Sequence, residues 1–316
     1  MGQPARIDLV PGRGRLPANP MKIYLYGMIV LTTVHRLKGD FPEADGYGEI
    51  EETHLVPGGE TGNSALVLAR WGHRVKVAGP FLGKQTRDGV VGFLEGRGVD
   101  CSGLRYDDTF EGVRDLVIVG GKARAVFGWF GRYFQGAKRW TAPERADVAG
   151  SDIVGIDPFF GAESDEVARL CTELGRPYVT IDCAPDSSLH RGAAATIVSA
   201  EFLRNHFPGS DQDGLIRRYA AEAEGLVIFT SGAEEVLYCR GRGEIRSFRP
   251  YRVKPKSTLG AGDTFRGGVI HAVAAGMDDD AIVRFAAATA ACVCQRFPMA
   301  FDPPGLEEIT SLAASS

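Results

Sequence analysis

From Ile153 onward the chain alternates between short β-rich runs and longer segments of helical period. Ile153–Ile156, Tyr178–Ile181, Thr196–Ser199 and Leu226–Thr230 are the strand candidates, and Ser164–Leu174 and Gly214–Ala223 are helical segments between them. Apolar runs this short and continuous suit strands buried on both faces. The alternation predicts a parallel sheet covered by helices on both sides, an α/β architecture. Two Ala-rich helical stretches, Gly262–Ala275 and Asp280–Arg296, close the chain.

The N-terminal half is less regular. Met21–Val30 reads as a first strand, and 32–56 is polar, with turn signals at Gly46 and Gly48. A helix runs from the Gly58-Gly59 pair to Trp71 and stops at Gly72, the usual position for a helix-ending glycine. Val75–Gly79 is a strand, Gly89–Arg97 a helix, and Asp115–Val119 with Ala123–Phe130 a hairpin around Gly120-Gly121. The reading is one α/β domain with β-structured insertions around 32–56 and 104–135. Residues 1–20 hold Arg, Pro and Gly without an apolar segment, so they are expected to be a flexible extension and not a secretory signal.

A hydrophobic content of 44% supplies an ample core, and a net charge of −4 gives no support for nucleic-acid or membrane-surface binding. No apolar run reaches the roughly 20 residues that span a bilayer. The six cysteines include no C-x-x-C pair and the six histidines no ligand-spaced cluster, which places the chain in a reducing, cytoplasmic setting.

Chemistry concentrates in Ser257-Thr258-Leu259-Gly260-Ala261-Gly262-Asp263-Thr264, a turn of small residues that runs straight into a helix. Gly260 and Gly262 lack Cβ and let backbone N–H groups come close to a ligand. The first amides of a helix have no intrahelical partner and carry the positive end of the macrodipole. The segment is therefore an anion cradle suited to phosphate. A carboxylate there repels phosphate, so Asp263 needs a reason. General-base chemistry on a hydroxyl that attacks the phosphate supplies one. The plainer alternative is a helix N-cap.

Thr258–Phe265 resembles the D-T-x-G-A-G-D-x-F signature of the ribokinase-like (PfkB) carbohydrate kinases, with Ser257 in place of the leading Asp. Gly58-Gly59-Glu60-Thr61-Gly62-Asn63-Ser64-Ala65, followed by Leu68-Ala69-Arg70-Trp71-Gly72, resembles the family's G-G-x-x-x-N-x-A-x-x-x-A-x-x-G pattern. Leu226–Glu235 resembles its strand ending in T-x-G. The resemblance implies a doubly wound, mostly parallel sheet flanked by helices, with a small β lid over the sugar site. Residues 21–316 would form the kinase domain. The implied reaction is ATP-dependent phosphorylation of a hydroxyl on a sugar or sugar-like molecule, with Mg²⁺. Asp263 is then the base, and the backbone of Gly260, Ala261 and Gly262 the anion hole. Gly58, Gly59, Asn63 and the position of Thr32 belong to the acceptor, and Thr230, Gly232, Gly260 and Gly262 to the nucleotide.

Four departures mark this chain. Thr32 stands where the family usually carries an acceptor-gripping Asp. Ser199-Ala200-Glu201-Phe202 replaces N-x-x-E, leaving Glu201 as the candidate for Mg²⁺ through water. Ser257 leaves monovalent-cation activation open. Gln295–Ala300 lacks the usual Gly-Ala pair. Two further readings follow: a nucleoside kinase of the same fold, and a sensor that binds nucleotide or sugar without turnover. The lid aromatics Phe127, Trp129, Phe130, Tyr133 and Phe134 suit base stacking, lid core or a homodimer through the lid.

Overall fold

The first apolar run does not stay straight. Strand β1 (Lys22–Tyr26) ends at Gly27, and the chain turns into β2 (Val30–Leu37), which belongs to a different sheet. The expected single strand Met21–Val30 is therefore split by a corner. Gly27 is required there, because a Cβ would lie 2.0 Å from Asp157 Oδ2 and 2.4 Å from Thr61 Oγ1. The computed structural model describes residues 20–121 and 123–315. The expected flexible extension over 1–20 thus lies, apart from Pro20, outside the described residues.

The other strands are β3 (Ile50–Gly58), β4 (Arg74–Leu82), β5 (Val99–Tyr106), β6 (Arg114–Gly120), β7 (Ala123–Gly128) and β8 (Ile153–Ile156). After them come β9 (Tyr178–Ile181), β10 (Ala195–Ser199), β11 (Leu226–Thr230), β12 (Val236–Arg240) and β13 (Arg246–Phe248). Among the described residues they form a nine-stranded sheet ordered β13-β12-β11-β10-β9-β8-β1-β4-β5 and a four-stranded sheet ordered β3-β2-β6-β7. Every pair from β5 to β11 is parallel, and β12 and β13 add an antiparallel edge. This is a doubly wound, mostly parallel sheet flanked by helices. β1 shows why: Ile23 and Leu25 enter the core on one face, Tyr24 and Tyr26 the core on the other. A central strand buried on both faces has no use for polar residues.

The chain builds outward from β1 to β4 and β5, then returns to β8 on the other side of β1. Such a reversal leaves a crevice outside the carboxyl ends of the strands, where ligands of open α/β sheets bind. The small sheet stands over this side. Its inward residues, Thr32, Val34, Asp115 and Val117, are buried, while Leu55 and Phe127 are exposed. β5 stays in the main sheet through Tyr106, so the second small-sheet segment starts at Arg114, later than the sequence bounds suggest. The Ala-rich helix Asp279–Cys294 buries Phe285, Ala286, Ala287 and Ala288. No helix among the described residues is long and apolar enough to cross a membrane.

Candidate active site

Asp157 follows β8 directly and is fully buried. Its Oδ2 accepts from the Met28 backbone N–H at 2.6 Å and from Thr61 Oγ1 at 3.0 Å. The guanidinium of Arg266, equally buried, lies against Oδ1. One carboxylate thereby ties the corner after β1 to the helices Gly59–Arg70 and Ala261–Ala274. Those two helices carry Asn63 and Asp263.

Asn63 Nδ2 donates to Asp263 Oδ2 at 2.7 Å, and Ser64 Oγ donates to the Asp263 carbonyl at 2.8 Å. Neither residue is a helix cap. Gly58 and Gly260 occupy the cap positions, so the N-cap alternative for Asp263 is set aside. Gly260 sits at φ 77°, ψ 2°, the left-handed region that glycine enters without a Cβ clash. The first helical bond after it runs from Thr264 N–H to the Gly260 carbonyl at 3.0 Å. Gly262 and Asp263 precede that bond and present their N–H groups at the helix entrance. Ala261 N–H turns back to the Thr258 carbonyl at 3.3 Å. Arg124, on β7, donates to the same carbonyl at 3.1 Å and to Thr258 Oγ1 at 2.9 Å, linking the small sheet to this loop.

Three carboxyls crowd this junction. Burial pushes the Asp263 carboxyl above the usual carboxylate range, and Asn63, Arg266 and Arg124 pull it back. Glu60 is held well above its ordinary value, first by burial and then by the negative charges of Asp263 and Asp157. Arg266 is the counter-charge for all three. A carboxyl poised above its normal range is suited to accept a proton near neutrality.

These groups face a cavity of about 560 Å³, within the range of roughly 300–1,000 Å³ typical of small-molecule sites. Thr32, Gly58, Gly59 and Asn63 line it, as do Gly260, Gly262 and Asp263. Glu201 and Thr230 line it from the ends of β10 and β11. Ala261 and Gly232 do not reach the wall.

Residues 193–304 match the model of the pfkB family carbohydrate kinases. The chain is 27% identical over 244 residues to a ribokinase of Bacillus subtilis, covering 73% of this chain and 78% of that one. It is 22% identical over 279 residues to a 5-dehydro-2-deoxygluconokinase of Lacticaseibacillus casei, covering 80% and 85%. The structure of Arabidopsis thaliana ribokinase complexed with ribose and ATP superposes with a TM-score of 0.76 at 15% identity, over 94% of this chain and all of that one. The chain thus resembles the pfkB carbohydrate kinases in sequence over residues 193–304 and shares the ribokinase fold over most of its length.

Several residues of the site escaped the motif reading. Asp157, Arg266, Glu60 and Asp115 are the main ones. Asp157 carried a usable signal, a carboxylate directly after a four-residue buried strand. So did Asp115, a charged residue on the inward phase of an alternating strand whose other inward residues are Val117 and Val119. Asp182, also on the wall, takes Ser199 N–H at 2.7 Å and Ser199 Oγ at 2.9 Å. Its φ of 40° is strained for a non-glycine residue, a condition that gathers at functional sites. Ser199 also caps the helix Ala200–His206, which puts Glu201 in the first helical turn. The described residues contain no group of three or more His, Cys, Asp or Glu able to hold a metal.

Proposed function

We propose that residues 21–316 form an ATP-dependent kinase that phosphorylates a hydroxyl of a sugar or sugar-like molecule, with the small sheet as its lid. The observation that carries this reading is the junction of two helices: a carboxyl raised by burial, fixed by Asn63, beside N–H groups that open a helix. In the proposed reaction the acceptor O–H gives its proton to Asp263 and its oxygen bonds to the γ-phosphorus. The bond to the bridging oxygen breaks, and ADP leaves. Backbone N–H groups of the 260–263 segment, Gly262 and Asp263 foremost, stabilise the charge on the transferring group.

One N–H of the Asn63 amide is taken by Asp263 and would position the base, while its second N–H and its carbonyl oxygen are left for the acceptor. Thr230 and Gly232 would border the nucleotide. Relatives named ribokinase and 5-dehydro-2-deoxygluconokinase support a sugar acceptor, and the ribokinase complex with ribose and ATP supports ATP as donor. Mg²⁺ fits as a nucleotide-borne ion, since such ions are usually held by phosphates plus one or two carboxylates. Glu201 is the carboxylate that would reach it through water, and the ion would neutralise phosphate charge.

Phe130, Phe134 and Phe159 on the cavity wall favour a nucleoside as second acceptor class. Phe127 and Trp129 are exposed, at 54% each, and suit a lid-to-lid homodimer better. An ADP-release assay with Mg²⁺-ATP and a panel of sugars, sugar acids and nucleosides tests the proposal. Acceptor-dependent ADP formation is expected. Binding of ATP and a sugar without turnover on any acceptor would mean a sensor.

A further inference from the structure

One carboxyl on the cavity wall lies away from the helix junction, on the small sheet. Asp115 lies on β6, the strand paired in parallel with β2, and its register partner is Thr32. The residue is only 9% exposed, although its side chain is acidic. The Thr32 hydroxyl hydrogen-bonds to it, and Oδ1 has no partner among the described residues. Burial pushes the carboxyl up to about 6. An unpaired buried carboxylate oxygen is costly and is normally avoided. The cations that reach the same cavity are engaged elsewhere: Arg266 with Asp157, Arg124 with Thr258, Arg296 with Glu308.

We infer that Asp115, with Thr32 beside it, is the acceptor-binding carboxylate of this chain and selects an uncharged, hydroxyl-rich acceptor over a sugar acid. This rests on the kinase reading above. A hydroxyl donated to Oδ1 satisfies the orphaned lone pair, and Thr32 holds the carboxylate in place. An acceptor with its own carboxylate would set a second negative charge beside Asp115, with Glu60 and Asp263 on the same wall. Such like-charge juxtaposition excludes a ligand more effectively than a missing contact does. The face of the small sheet therefore supplies recognition, while the helix junction supplies chemistry.

The test uses Asp115→Ala and Asp115→Asn in the full chain, with D-ribose, D-fructose, adenosine and D-gluconate as acceptors. KM and kcat are measured for each, ATP KM separately, sugar binding by calorimetry and the melting temperature without ligand. Wild type should prefer an uncharged acceptor. Asp115→Ala should raise that acceptor's KM about 10- to 150-fold, as expected for a lost hydrogen bond to a charged group. ATP KM should stay within about twofold and the melting temperature should not fall, and Asp115→Asn should be intermediate. A merely structural Asp115 would instead lower the melting temperature and leave KM alone. D-gluconate as the best acceptor, or an unchanged acceptor KM in Asp115→Ala, overturns the inference while turnover keeps the kinase reading. Sugar binding that Asp115→Ala weakens, with no turnover on any acceptor, supports the Asp115 assignment and defeats the kinase reading.

Discussion

Asp157→Asn is the sharpest probe of how the two catalytic helices are held. The amide has nearly the shape of the carboxylate, and its oxygen can still accept from Met28 N–H and Thr61 Oγ1. What disappears is the charge opposite Arg266, which is 0% exposed. Removing one partner of a buried ion pair costs about 3–5 kcal/mol, because the remaining charge is stranded. At about 2.1 cal/mol/K of unfolding entropy per residue, a chain of 316 residues loses about 1.5 °C for each kcal/mol. The melting temperature should therefore fall by about 5–8 °C. Arg266→Met should lose a similar amount, since Asp157, Glu60 and Asp263 then share a site without a counter-charge. The double variant should recover at least about 2 kcal/mol relative to the sum of the singles, because neither Asp157 nor Arg266 is then left buried without the other. Calorimetric melting of wild type, both singles and the double completes the cycle. A loss below about 1 kcal/mol for Asp157→Asn, or simple additivity in the double, would show that this pair does not lock the helices.

Asn63→Ala should lower kcat by about 10- to 150-fold, the worth of a hydrogen bond to a charged group. It should also move the acidic limb of kcat to higher pH, because the bond that depresses the Asp263 carboxyl is gone; a pH–rate profile with the limb unmoved would refute that pairing. Gly262→Ala meets open space at its Cβ and gains helix propensity, so stability should hold or rise while ATP turnover collapses. Unchanged turnover would mean that phosphate does not approach this residue. Asp115 is raised from 3.8 to about 6 in the folded chain, so its native form keeps a proton that the unfolded form releases. That contribution is fully present below about pH 4 and is lost as pH rises to 6. Asp115→Asn should thus be up to about 3 kcal/mol more stable than wild type at pH 7.5, with the difference vanishing near pH 4. Equal melting at pH 7.5 would contradict it.

The buried strands were the most legible part of the chain. Ile153–Ile156, Tyr178–Ile181 and Leu226–Thr230 have the bounds read from sequence, because a strand covered on both faces leaves no polar position to blur its ends. β5 was not read, since Asp100 and Ser102 face outward on an edge strand and resemble loop residues. The run from Met21 to Val30 misled in the opposite sense. Its hydropathy is continuous, and only the tertiary approach of Asp157 and Thr61 to Gly27 reveals the corner. In the site, Asp263 and Asn63 were legible as members of separate motifs. Their 2.7 Å contact, across 200 residues of chain, was not, because no local pattern links the two motifs. Asp157–Arg266 left no local pattern, because the pair satisfies a requirement created only when β8 and the Ala261–Ala274 helix pack together.

The central claim is that Asp263 accepts the acceptor's proton. The direct measurement is kcat of Asp263→Asn on the acceptor identified for the wild type, with ATP affinity measured by calorimetry on the same preparation. The amide keeps the volume and can still meet Asn63, but it cannot take a proton. The account predicts ATP affinity within about twofold of wild type and a kcat lower by about 10²–10⁴-fold, the usual worth of a general base. A variant that keeps more than about half of the wild-type kcat would contradict it.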